Sequence, residues 1–299
     1  MEALKKKIHS ADELFSLVKT MKALAAVNMR QYETALASLR EYAATVETGL
    51  QAILARIPKR KAGGSRQGRT GCGYIIFGSD QGMCGSFNEQ AVETAYTHWE
   101  QEKQEGQEMT VLTVGERLYN DFTDTIYHRF SLPAQVRRIT ARTQEILAVM
   151  NNWQQEKQIT TIRIVHNKPV HPTGFETTTT RLLPIDQTWY DQLARKKWPS
   201  RQLPLTTVDL DTLLSRFSSQ YLFASLHRIL AESMVAENSV RLAAMQAAEK
   251  NIEELLGELT GQYHRERQSQ ITEELLDIIV GFSTIKKGRQ GRDTIGGGS

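Results

Sequence analysis

The stretch RLAAMQAAEKNIEELLGELTGQYHRERQSQITEELLDII, Arg241 to Ile279, decides the fold. Leu242, Met245, Ala248, Ile252, Leu255, Leu259, Tyr263, Ile271, Leu275 and Ile278 recur at helical steps, interrupted by polar Glu266 and Gln270, so they share one stripe of a long helix. The stripe continues through Phe282 and Ile285. Asp209 or Asp211 can cap its start, and Gly288 offers a stop.

Outward from this segment, proline divides the chain, because its ring breaks both helix and sheet ladders. All seven prolines lie between Pro58 and Pro204. The proline-free start carries a second stripe, Leu4, Ile8, Ala11, Phe15, Val18, Met21 and Ala25. A helix of about 50 residues is about 75 Å long, more than a compact domain of this size can bury by itself. Two such helices are most simply satisfied by an antiparallel coiled coil; a bundle of shorter helices is the alternative pattern.

Between the rods the grammar changes. GYIIFGS, MTVLTVG and TTIRIVHN are rich in β-branched residues and bounded by turn formers, while Phe87 to Gln104 and Ala141 to Lys157 read as helices. This alternation predicts a parallel-type α/β domain over about residues 70 to 200. The expected fold class is α/β with a long antiparallel coiled coil: two terminal helices forming a shaft plus a central Rossmann-like domain. The expected divisions are a shaft helix over 1–57, a basic linker over 58–70, an α/β foot over 71–205, a second shaft helix over 206–287 and a disordered tail over 288–299.

Composition excludes several classes. The 299 residues are 40% apolar and 24% charged, ordinary for a chain that folds in water, and the net charge of +3 gives no global field for nucleic acid. Cys72 and Cys84 are too few for a disulfide scaffold and lack zinc-ligand spacing. No apolar run reaches the ~18 residues that span a bilayer, and the first residues lack the apolar core of a secretory signal.

YIIFGSDQGMCGSFN, Tyr74 to Asn88, joins a strand to a helix through Gly78, Gly82 and Gly85. A phosphate-cradling loop needs a Lys and a hydroxyl after its last glycine, and a dinucleotide loop needs G-x-G-x-x-G; neither is present. Asp80 places a negative charge where phosphate would sit. The loop therefore reads as a tight turn without nucleotide. His166, Asn167 and His171, with prolines between and after them, read as loop polar groups rather than a metal or acid/base site.

Three motifs carry a resemblance. FGSDQGMCGSFN is similar to the GSDQGLCGGFN signature of the γ subunit of rotary F-type ATP synthases. LVKTMKALAAVNMRQ, Leu17 to Gln31, is similar to that family's N-terminal ITKAMKMVAAAKLRR helix. Ala236 to Gly281 resembles its C-terminal signature, including R-[ML]-x-A-M and Y-x-x-x-R-Q-x-x-I-T-x-E-L. The resemblance implies a two-helix shaft with an α/β foot and no catalytic, cofactor or metal residue on this chain. It further implies partners: three α and three β subunits, an ε subunit and a membrane c ring. Membrane association would come only through that complex, at the cytoplasmic face of a bacterial or archaeal plasma membrane or at a thylakoid membrane.

Residue by residue, the resemblance assigns Arg267, Gln268 and Thr272 to hydrogen bonds with a β-subunit loop, and Met21 and Lys22 to a position beside the β lever. Asp80 and Cys84 would be β-interface residues of the glycine loop. Leu275, Ile278, Ile279, Phe282 and Ile285 would enter an apolar bearing at the top of the αβ ring. The sparser basic residues near Ile8 to Leu17, the linker PKRKAGGSRQGRT and the Gly/Arg tail depart from the general pattern and resemble the alternate F-type ATPase of some prokaryotes. Two rival classes are a coiled-coil nucleic-acid or scaffold protein, suggested by basic runs at Lys5 to Lys7, Pro58 to Lys61, Arg195 to Trp198 and Lys286 to Arg292, and a nucleotide-dependent α/β enzyme with helical arms.

Overall fold

The computed structural model describes residues 1–57, 71–104, 109–118, 126–170, 174–198 and 204–293. In chain order the elements are α1 (Glu2–Leu54), β1 (Cys72–Phe77), α2 (Phe87–Gln104), β2 (Met109–Val114), β3 (Ile126–Phe130), α3 (Ile139–Glu156), β4 (Thr161–Val170), β5 (Gly174–Leu183), α4 (Gln187–Arg195) and α5 (Leu210–Asp293). They form two compact units, one built from residues 1–21 and 245–299, the other from 22–244.

In the first unit the start of α1 lies along α5. The Met1 ammonium meets the Glu266 carboxylate at 3.0 Å, and the Lys5 ammonium stands 5.8 Å from the centre of the Tyr263 ring. Contacts that move up α1 thus move down α5, which is antiparallel pairing. Ala11, Val18 and Met245 from the two stripes are buried. Glu266 pairs with the first residue of the chain, and α5 runs on from there to Asp293, roughly 27 residues or about 40 Å. Its Ile271, Leu275, Leu276, Ile278, Ile279 and Val280 are 48 to 61% exposed. The expected stop at Gly288 is not used, because the helix runs through it. Good helix formers flank that glycine, and one interior glycine costs only about 0.5–1 kcal/mol.

The second unit is built on a five-stranded sheet in the order β3-β2-β1-β4-β5. β1 is parallel to both β2 and β4, and β2 to β3, whereas β5 returns antiparallel along β4. The sheet is therefore mixed rather than uniformly parallel, with β3 and β5 added to the three expected strands. Strand alternation gives two cores. Ile75, Phe77, Leu112, Val114, Ile162 and Ile164 pack with Ile146 and Trp153 of α3, Leu226 and Leu230 of α5, and Tyr32 of α1. Tyr74, Ile76, Val111 and Val165 face Ala91 and Ala95 of α2.

Helices α1 and α5 also pair in this unit. The Tyr42 hydroxyl donates to the Gln220 amide oxygen at 2.5 Å, and Val46 and Leu50 pack beside Leu214, Phe217 and Tyr221. The Phe217 ring occupies the place a Cβ would take at Gly49, so only glycine allows this approach. Asp209 supplies the α5 cap, its carboxylate accepting from the Thr212 N–H at 2.9 Å.

His166 and Asn167 are not loop groups, contrary to the sequence reading. The strand runs on through Pro169 because that residue faces Phe175 in the β4–β5 ladder, and both His166 and Asn167 are buried within it. Asn167 donates to the Phe87 carbonyl at 2.9 Å and accepts from the Thr177 hydroxyl at 2.6 Å. His171 lies outside the described residues.

Among the described residues neither ring nitrogen of His166 has a hydrogen-bond partner, and a carboxylate oxygen of Glu232 is 3.8 Å away. Burial pushes its pKa below the ordinary 6.5, and Lys168 and Arg228 push the same way against Glu232. The unfolded chain thus binds the proton more readily than the fold, so this group's contribution is present above pH 6.5 and lost as pH falls below it. Urea unfolding of wild type should accordingly show lower stability at about pH 5.5 than at about pH 7.5, and His166→Gln should lessen that difference, the remainder coming in part from His227, whose pKa burial also lowers.

Candidate partner-contact surfaces

The glycine loop is held at several points. Asn88 accepts from the Ser79 N–H at 2.8 Å and donates to the Ser79 hydroxyl at 2.8 Å. The Asp80 carboxylate accepts from the backbone N–H of Glu116 at 3.0 Å and from that of Leu132 at 3.0 and 3.1 Å, tying the loop to the segments after β2 and β3. Gly115, at φ 125°, lets the backbone of Gly78 and Ser79 approach closely, for a Cβ there would lie 2.8 to 3.1 Å from it.

Asp80 and Cys84 are therefore placed in the loop's support. Asp80 is half-buried, with its charge directed at amides of this chain; Cys84 is 2% exposed, with Sγ 3.5 Å from the Ser79 hydroxyl. Burial pushes the Cys84 thiol pKa up, which keeps it protonated and unreactive. The exposed apolar side chain of the loop is Met83, 57% exposed at φ 62°. Sequence reading passed over it because a methionine within a glycine turn belongs to no periodic pattern. Among the described residues no group of His, Cys, Asp and Glu is arranged to hold a metal ion.

On α5, Arg267, Gln268 and Thr272 are all exposed. Thr272 lies one turn beyond Gln268 and donates its hydroxyl to the Gln268 carbonyl at 2.9 Å. Arg267 makes no ion pair among the described residues, so its five donors are open to an acceptor on another molecule. Met21, in the first unit, and Lys22, in the second, are half-buried on α1. Leu275, Ile278 and Ile279 are exposed at 55, 55 and 61%, whereas the side chains of Phe282 and Ile285 lie outside the described set.

The family model described as ATP synthase matches residues 1–285. The chain is 27% identical over 295 residues to the ATP synthase gamma chain of Geotalea daltonii, covering 96% of this chain and 99% of the relative. It is 24% identical over 287 residues to that of Sulfurihydrogenibium sp., covering 95% and 97%. A chain of the Euglena gracilis mitochondrial ATP synthase structure of OSCP, F1 and c-ring shares the fold at TM-score 0.65 and 18% identity, over 96% of this chain and 95% of that one. A chain of the Tetrahymena thermophila central stalk and c-ring gives TM-score 0.54 at 19% identity, over 78% and 99%. With the match running from the first residue of α1 into the end of α5, the chain belongs to the ATP synthase family, among its gamma chains.

Proposed function

We propose that the chain is the central shaft of an F-type ATP synthase, turning inside a ring of three α and three β subunits and joined through its foot to an ε subunit and the membrane c ring. It performs no bond chemistry. A shaft without threefold symmetry touches each αβ pair differently, and each contact shifts a conformational equilibrium by its difference in interaction free energy between the states. Rotation thereby carries each catalytic site through open, loose and tight forms, yielding ATP when driven by ion flow and pumping ions when driven by ATP.

The observation that carries this reading is the stretch of α5 beyond Glu266, whose described apolar side chains Ile271, Leu275, Leu276, Ile278 and Ile279 are exposed on more than one face. Such a helix needs a surrounding apolar sleeve; Leu275, Ile278 and Ile279 supply exposed surface for one, and Phe282 and Ile285 continue the same stripe in the sequence. Arg267, Gln268 and Thr272 offer a guanidinium, an amide and a hydroxyl to the β subunit, and Met21 and Lys22 run beside its lever. Asp80 and Cys84 serve the β contact by shaping the loop, with Met83 foremost. Among the described residues no helix is long and apolar enough to cross a membrane. Membrane attachment in this reading comes through the complex, at the cytoplasmic face of a prokaryotic plasma membrane or at a thylakoid membrane.

Co-expression with α and β subunits should give a threefold ring holding one copy of this chain, and titration calorimetry of the chain alone with ATP, ADP or NAD should give no saturable heat. Nucleotide binding by the isolated chain would overturn the non-catalytic role.

A further inference from the structure

Glu237 and Arg241 stand one turn apart on α5, 4% and 7% exposed, with Oε1 and Nη2 at 2.6 Å. Taking two charges out of water is costly, and a pair within one helix joins no separate elements. The guanidinium does reach a second element: the same Nη2 donates to the Gln81 carbonyl of the glycine loop at 3.1 Å. That carbonyl also accepts from the Ser79 hydroxyl at 2.9 Å. Two residues further on, Met83 combines a left-handed backbone with an exposed apolar side chain. A bulky residue persists in that conformation only where its surroundings over-determine it, a condition typical of functional loops.

We infer that Glu237 and Arg241 are positioning residues for the coupling contact: through the Gln81 carbonyl they latch the glycine loop to the shaft helix, so that Met83 is presented as a rigid apolar knob to the β subunit. Glu237 orients the guanidinium, Arg241 holds the loop, and Met83 makes the contact. The inference rests on the reading that this loop meets the β subunit. Lysine cannot replace the arginine, because its ammonium ends one bond short of the Nη2 that makes both contacts. Glutamine can replace Glu237 as an acceptor.

Two measurements separate the latch from the contact: backbone order of Gln81 to Gly85 in the full isolated chain, by NMR relaxation, and ATP hydrolysis by the complex with α and β subunits. Arg241→Lys should drop the loop's order parameters from about 0.85 to below about 0.6 while β1 and β4 stay rigid. It should also lower hydrolysis severalfold. Glu237→Gln should retain loop order. Met83→Ala, a surface change that does not depend on the buried pair, should leave loop order intact and lower hydrolysis to a similar degree. Unchanged loop order in Arg241→Lys overturns the latch. A loosened loop with undiminished hydrolysis, or full hydrolysis in Met83→Ala, overturns the proposed role through the contact reading and leaves only a structural tie.

Discussion

Arg267→Ala should lower ATP hydrolysis by the assembled complex about tenfold or more while leaving the isolated chain as stable as wild type. A hydrogen bond to a charged group is worth about 1.5–3 kcal/mol, and each 1.4 kcal/mol in a barrier is about a factor of ten in rate. Within this chain nothing of comparable size is lost, since Arg267 is exposed and makes no ion pair among the described residues. Arg267→Lys should recover only part of the rate, because the ammonium keeps the charge without the fork. The two readouts are steady-state hydrolysis and a urea unfolding curve. A stability loss matching the activity loss would mean that Arg267 supports the helix rather than a partner.

Trp153→Ala has the largest expected effect on the fold, about 3–5 kcal/mol. The indole is fully buried on the α3 side of the sheet, and its ring fills the space beside Gly73, where a Cβ would lie 2.6 Å from it. Tyr127 meets it edge-on at 6.1 Å. The rigid strand β1 cannot collapse into the vacated volume, so most of the cavity cost remains. Trp153→Phe should cost less, since the indole N–H has no hydrogen-bond partner among the described residues to lose. Denaturant unfolding of the isolated chain measures both, and a loss below about 1 kcal/mol for the alanine variant would contradict this packing.

What could be read from sequence followed from how strongly each segment is patterned. The stripes through Ala11 and Val18 and through Met245 predicted buried seams, and those residues are buried, whereas Leu255, read on the same stripe as Met245, is 45% exposed. Strands β1, β2 and β4 announce themselves by β-branched residues within turn formers. The threonines of β5 do not, since they are polar and half-buried at a sheet edge, and IYHRF of β3 is short and largely exposed. His166 was misread because Pro169 and Pro172 suggest a loop, yet the antiparallel ladder tolerates Pro169.

The surfaces divide in the same way. Arg267, Gln268 and Thr272 were singled out by their resemblance to the family's C-terminal motif; periodicity supplied only the helix, on which all three are exposed. The glycine loop was legible as a turn, but its internal arrangement was not. Asp80 is satisfied by amides 36 and 52 residues away, and the Arg241 that reaches Gln81 is 160 residues distant. Such long-range pairing leaves no local mark in the sequence.

The most direct test of the account is single-molecule observation of the assembled complex, with a bead on the foot domain and the αβ ring fixed to a surface. Supplied with ATP, the bead should turn in one direction in steps of one third of a revolution. Steady hydrolysis with a stationary bead would contradict a shaft that conveys work by turning.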